Sequence, residues 1–219
     1  RGRLGQVLLE DVLAKQLHRI NRVQAKGREL PFTSEAIAEA IDKLRSVPFD
    51  GLCRTAEQVY DLLTLGVSLE QTIEGETKGR SLRFIDWEHP RNNSFHVTAE
   101  FKVARTASHE TRRPDIVCFV NGIPFVVIEC KRRDEKDSLT AAIKQHLRNQ
   151  EAAQIPHLFT YAPVLLGINK DDGRYGTTGT TLKFWSEWKE QHSAESEIRT
   201  LLAMPPRREE HEKLFTGEF

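Results

Sequence analysis

The sequence predicts an α/β domain in which helices come first and a mixed sheet follows. Three observations carry this. Residues 4–66 hold three segments with apolar residues at helical spacing. From residue 81 the apolar period shortens to two, as in half-buried strands. A further helical segment at 137–153 then separates two strongly apolar runs.

In chain order, "LGQVLLEDVLAKQLHRI" (4–20) places Leu4, Val7, Leu8, Leu13, Leu17 and Ile20 near one face. Pro31 closes the polar stretch that follows, and "TSEAIAEAIDKL" (33–44) repeats the stripe with Ile37, Ile41 and Leu44. "TAEQVYDLLTLG" (55–66) opens on a Thr55–Gln58 capping box and stops at Gly66. "SLRFID" (81–86) and "FHVTAEFKV" (95–103) alternate apolar and polar, with turn chemistry in "HPRNNS" between them. "DIVCFVN" and "IPFVVIE" are almost continuously apolar, which predicts a central pair of strands burying both faces. "DSLTAAIKQHLRNQEAA" (137–153) returns to helical period on Leu139, Ile143 and Leu147. "APVLLGIN" (162–169) is another buried strand, "KDDGRYG" a turn, and "TLKFWSEWKE" an outer strand or packing segment. "PPRREEHEKLF" (205–215) reads as a charged, proline-broken exit.

A chain of 219 residues fits one domain, here 1–66 helical, 67–190 the sheet and its helix, and 191–219 the exit. Formal net charge is zero, so no global field advertises a polyanionic partner. Any such binding must come from local patches, Arg112-Arg113 and Lys131-Arg132-Arg133. Three scattered cysteines, Cys53, Cys118 and Cys130, are expected to be reduced thiols of a cytoplasmic protein. No apolar run approaches the ~20 residues of a membrane span, and the first residues lack a signal-peptide layout. A start at Arg1 and a single methionine, Met204, lead us to expect a piece of something longer.

The chemistry concentrates in "RRPDIVCFVNGIPFVVIECKRR" (112–133). Asn121-Gly122 between two β-rich runs predicts a hairpin. Glu129 and Lys131 share a face of the second strand, while Cys130 points the other way. A two-residue loop sets Asp115 opposite Ile128, and a three-residue loop sets it opposite Glu129. Asp115 therefore joins that face only if the loop is odd-numbered or a strand is bulged. Pro124, which cannot donate to a ladder, favours the irregular geometry. If the three groups meet, two carboxylates repel unless a cation or proton intervenes, and an oxygen site of this kind suits Mg²⁺ or Mn²⁺. Hydrolysis of a phosphodiester is the chemistry implied, with Lys131 offsetting charge that develops on phosphate. The same spacing also arises when an aspartate caps a turn and Glu-x-Lys is the wet end of a core strand. Spacing alone leaves both readings open.

The stretch "RPDIVCFVNGIPFVVIECK" resembles the PD-(D/E)xK signature as it occurs in the R (restriction and motor) subunit of type I restriction–modification enzymes. "VLLEDVLAKQLHRIN" is similar to that subunit's opening helix, "LRFIDWEHPRNNSFHV" to its approach to the nuclease strands, and "IPHLFTYAPVLLGINKDDGRYGTT" to the segment after the active-site helix. These blocks keep the family's order and cover most of residues 7–185. The resemblance implies a restriction-endonuclease-like mixed β-sheet flanked by helices. It implies Asp115 and Glu129 as metal-binding acids, the Cys130 carbonyl as a further metal ligand, Lys131 as catalytic lysine and Pro114 as the motif's proline. A Gln-x-x-x-Tyr element of the family finds Gln145, assigned a catalytic role, but Asn149 stands where tyrosine is expected. Glu10 is either an additional acid or a solvent-facing helix residue; His146 is read as a helix-surface residue; Arg174-Tyr175 are assigned backbone contact with DNA.

The implied function is the DNA endonuclease domain of an R subunit. It would act on double-stranded DNA with Mg²⁺ (Mn²⁺ as substitute) and no sequence preference, beside methyltransferase and specificity subunits. ATP would serve only the full-length subunit, since no G-x-x-x-x-G-K-[ST] occurs and "GETKGRS" (75–81) lacks the spacing to wrap phosphates. A non-cleaving docking domain for the methyltransferase or motor parts is the alternative.

Overall fold

The computed structural model describes residues 7–189, apart from 26, 74 and 133–136. Arg133 and the expected exit at 191–219 therefore lie outside the described residues. Three helices come first, as the periodicity predicts. Helix α1 (Glu10–Ile20) buries Leu13, Leu17 and Ile20. A small hairpin, β1 (Arg22–Ala25) with β2 (Arg28–Pro31), leads to α2 (Ser34–Arg45), where the Thr33 side chain accepts the Ala36 N–H and caps the first turn. Helix α3 (Leu52–Leu65) departs from expectation at its start. It begins after Gly51 rather than at Thr55, and the buried Thr55 hydroxyl instead accepts the Asp50 N–H at 3.0 Å. The Thr55–Gln58 capping box does not form.

Strands β3 (Val67–Ile73) and β4 (Glu76–Leu82) make an antiparallel ribbon that the sequence showed only at its end. Most of β4 faces water and only its Leu82 is buried, while Leu69 anchors β3, so the period-two signal of β4 is faint. The strand expected at 81–86 stops at Leu82. The one expected at 95–103 splits: β5 (Phe95–Ala99) ends where Glu100 turns the chain at φ +51°, and β6 (Val103–Ala104) pairs with β7 (Thr111–Arg112).

The central sheet adds β8 (Ile116–Val120), β9 (Ile123–Cys130), β10 (Val164–Ile168), β11 (Gly173–Gly176) and β12 (Ser186–Glu187), in the order β12-β11-β10-β9-β8-β5. Its parallel pair is β9 and β10, connected through helices α4 (Ser138–Asn149) and α5 (Pro156–Phe159). The two faces differ. Val117, Phe119, Val127 and Leu165 on one face are essentially inaccessible, whereas Cys118, Val126, Ile128, Val164 and Leu166 on the other are half-buried. The expectation that the central strands bury both faces is corrected: these strands are apolar on both sides, but the described residues cover one.

Candidate active site

The loop of the β8–β9 hairpin has two residues, Asn121 and Gly122, both at positive φ as the tight primed turn demands. Pairing runs Val120↔Ile123 and Phe119↔Pro124, then jumps to Cys118↔Val126, leaving Phe125 as an extra residue on β9. That β-bulge shifts the register by one, so Ile116 faces Ile128 and the preceding Asp115 comes level with Glu129. Of the two geometries that could unite the carboxylates, the chain uses the bulge.

At this open end of the hairpin the groups converge. The Cys130 N–H donates to Asp115 Oδ2 at 2.7 Å, which fixes the aspartate beside β9. Glu129 is fully buried and its carboxyl lies within hydrogen-bonding reach of Asp115. Burial and then the Asp115 charge push the Glu129 carboxyl up to about 8, against a smaller opposing pull from Lys131. Lys131 Nζ donates to Gln145 Oε1 at 2.7 Å, and Gln145 Nε2 donates to Glu129 Oε2 at 2.5 Å. One amide thus ties the lysine to the glutamate. Asn149, one turn further along α4, donates from Nδ2 to Glu129 Oε1 at 3.4 Å and is buried. The position that departs from the family's tyrosine therefore faces the site. Pro114 is buried just before Asp115.

Helix α4 can present Gln145 and Asn149 because it lies very close to β10. A Cβ at Gly167 would stand 3.1 Å from Ala142 Cβ, and Gly167 is the register neighbour of Glu129. His146 completes this packing and corrects its reading as a surface residue. It is wholly buried, its Nε2 sits 2.9 Å from the Leu166 carbonyl, and its ring stacks beside Trp185. Burial depresses its pKa to about 4, so it is a neutral imidazole whose Nε2–H holds α4 to β10. The position carried a sign of this: His146 lies seven residues after Leu139 and three after Ile143, on the same helical face as that apolar stripe.

Other expected residues fall elsewhere. Glu10 pairs with Arg45 at 3.3 Å on the surface. Its helix begins at the closed tip of the hairpin, where Leu9 N–H donates to the Gly122 carbonyl, about 20 Å along β9 from Glu129. It is no part of the acidic cluster. Arg112 donates to Gln154, Arg113 stands 3.8 Å from Glu100, and Arg132 is exposed. Arg174 and Tyr175 lie on β11, both exposed, with Tyr175 edge-on to Trp188. Among the described residues, one trio offers three side-chain ligand atoms within 4.8 Å: Asp86, Glu88 and His89. Asp86 there is already engaged by Arg83, Asn92 and the His89 N–H.

A mixed sheet flanked by helices, with two acids and a lysine gathered at the end of a bulged hairpin, defines a domain of the restriction-endonuclease-like class. The comparison with protein families is specific: the family described as type I restriction enzyme R protein N terminus matches residues 1–184, and the chain belongs to it. Among curated relatives, the type I restriction enzyme HindI endonuclease subunit of Haemophilus influenzae is 29% identical over 191 residues, 86% of this chain and 17% of that protein. The provisionally named type I restriction enzyme MjaIXP endonuclease subunit of Methanocaldococcus jannaschii is 34% identical over 119 residues, 54% of this chain and 11% of that protein. The chain thus spans less than a fifth of the length of these relatives. No helix among the described residues is long and apolar enough to cross a membrane.

Proposed function

We propose that this domain hydrolyses phosphodiester bonds of double-stranded DNA with Mg²⁺, for which Mn²⁺ substitutes, and without sequence preference of its own. The observation that carries the reading is the pairing of the buried Glu129 with the half-buried Asp115. With Glu129 raised to about 8 by burial and its neighbour, the pair is one positive charge short. The donors fit a hard cation: two carboxylates and, between acid and lysine, the Cys130 carbonyl. When bound, such an ion lowers the pKa of its water and polarises the phosphorus centre.

The chain's own residues supply the rest. Gln145 orients Glu129 through its NH₂ and Lys131 through its carbonyl oxygen, so both point at one place before substrate arrives. Lys131 brings a compact positive charge to where negative charge grows on phosphate. Arg113 and Arg132 are exposed cations beside the site, suited to phosphates, which position DNA without reading bases. Arg174 on β11, in register with Gly167 and Glu129, extends that surface, whereas Tyr175 points to the opposite face of the sheet. In this reading target recognition belongs to the specificity subunit of a type I complex in the cytoplasm, whose methyltransferase subunits are further partners. ATP-driven movement belongs to a motor region of a longer polypeptide.

The rival reading, a non-cleaving docking domain, rested on asparagine at position 149. The bond from Asn149 to Glu129 keeps that helix position turned to the acids and supports cleavage instead. Asp115→Ala, Glu129→Ala and Lys131→Ala, each placed in the full-length subunit, should abolish restriction of unmodified DNA in cells while leaving complex assembly intact. Wild-type-like restriction by any of them removes that residue from the mechanism.

A further inference from the structure

The acids open into a cleft whose two walls carry their cations differently. One wall is α4, which turns Gln145 and Asn149 toward Glu129. The other is the β6–β7 ribbon, which leads through Pro114 into Asp115. The walls meet at the back. There the Thr106 N–H donates to the Gln154 carbonyl at 2.8 Å, and Arg105 Nε donates to the Ala153 carbonyl at 3.1 Å.

On the ribbon the arginines are occupied: Arg105 pairs with Glu110, and Arg112 Nε donates to Gln154 Oε1 at 2.9 Å. On α4 the cations are not. Lys144 and Arg148 are exposed, and among the described residues neither side chain has a hydrogen bond or an ion pair. Four residues apart, they stand about 6 Å from one another along one side of the helix. Helical rotation sets Arg148 about 60° from Gln145, turned away from the buried Ala142, Ile143 and His146. Its charge is felt at Glu129, where it works against the effect of burial. The two cations therefore line the lip of the cleft beside the acids.

Helix stability does not account for the pair. The last turn of a helix favours a cation, which suits Arg148, but Lys144 lies a turn earlier and repels it. Two unneutralised cations one turn apart fit a ligand that carries its own row of negative charge.

We propose that Lys144 and Arg148 hold successive phosphates of one DNA strand, so that the strand to be cut enters the cleft along α4 rather than along the β6–β7 ribbon. This rests on the nuclease reading and adds how its substrate is held. The contacts position the strand and read no bases.

Anisotropy of a labelled duplex of about 30 base pairs, followed from ~30 to ~150 mM KCl without divalent cations, tests it. The 219-residue chain carrying Lys144→Ala/Arg148→Ala should bind about tenfold more weakly than wild type at ~100 mM salt. Its slope of log affinity on log salt should be shallower by about two. Lys43→Ala/Arg54→Ala removes the same charge from exposed ion pairs on α2 and α3, and should bind within about twofold of wild type. Equal losses in both pairs would reduce the effect to net charge and overturn the proposal. Unchanged binding in the α4 pair, or no binding by the wild-type chain, would overturn it as well. The α4 pair should keep its circular dichroism and titrate Mn²⁺ as wild type does; loss of that binding would put the cations in the metal site and overturn the track. The nuclease reading fails separately, when the Asp115→Ala and Glu129→Ala chains still bind the ion.

Discussion

Asp86 and Glu129 are both buried carboxylates, 1% and 0% exposed, and the protein treats them in opposite ways. Asp86 sits by the closed tip of the hairpin. Burial pushes its carboxyl up, but Asn92, the His89 N–H and Arg83 outweigh that and hold it below the usual aspartate range. Its surroundings are equally complete: Asn93 bridges Asp86 and Asn121, and Asn121 bonds both Ser94 and the Phe84 carbonyl. Glu129 sits at the open end, facing another carboxylate, with amides and one lysine as its help. One end of the ribbon resolves its buried charge internally, which is what a structural anchor needs. The other leaves a charge unresolved, which is what a cation site needs.

The contrast is broken most strongly at the anchored end. Asp86→Ala strands Arg83, Asn92 and a backbone N–H, and should cost about 3 kcal/mol in urea unfolding at pH 7. Because the Asp86 carboxyl is lowered in the fold, its contribution is present above the ordinary aspartate range and fades as pH falls through the folded value. Glu129→Gln should move stability the other way. A raised folded value means the metal-free domain loses stability as pH rises from the usual glutamate range through about 8, so from pH 7 to pH 9 Glu129 should cost about 1 kcal/mol. His146 does not confuse this window, since its depressed value makes it lose stability only as pH falls from about 6.5 towards 4. The variant should abolish Glu129's part of the slope and melt several degrees higher than wild type at pH 9 without metal. An unchanged slope would mean that neither burial nor Asp115 raises the Glu129 carboxyl in the fold.

Smaller effects sharpen the site's limits. Asn149→Ala removes one donor from Glu129 and should weaken Mn²⁺ binding about fivefold in calorimetry, with little change in fold. Glu10→Ala should alter stability by less than about 0.5 kcal/mol and leave DNA cleavage unchanged, because its pair with Arg45 is exposed and lies at the far end of the ribbon.

Much of this was legible in the amino-acid order, for physical reasons that differ by region. Helical stripes and the Asn-Gly turn are local signals, so α1, α2, α4 and the β8–β9 hairpin were readable. The bulge was not. Pro124 suggested irregular geometry, but whether the loop or the strand absorbs the extra residue depends on how Gly122 docks on Leu9, a contact between residues more than a hundred positions apart. The β3–β4 ribbon escaped notice because water, not core, surrounds most of it. The inward face of His146 was legible, since it falls three residues past Ile143 and seven past Leu139 on the apolar stripe, whereas its partners Leu166, Phe159 and Trp185 come from distant parts of the chain. At the site, Gln145 followed from the motif, whereas the orientation of Asn149 needed the close approach of α4 over Gly167.

Isothermal titration of the 219-residue chain with Mn²⁺ puts the convergence of the two acids to its plainest trial. One binding event in the wild-type protein, lost in both Asp115→Ala and Glu129→Ala while circular dichroism stays the same, is the outcome expected. Binding that survives in either variant, or no binding in the wild type, would mean that the acids at the end of the bulged hairpin do not grip a cation together.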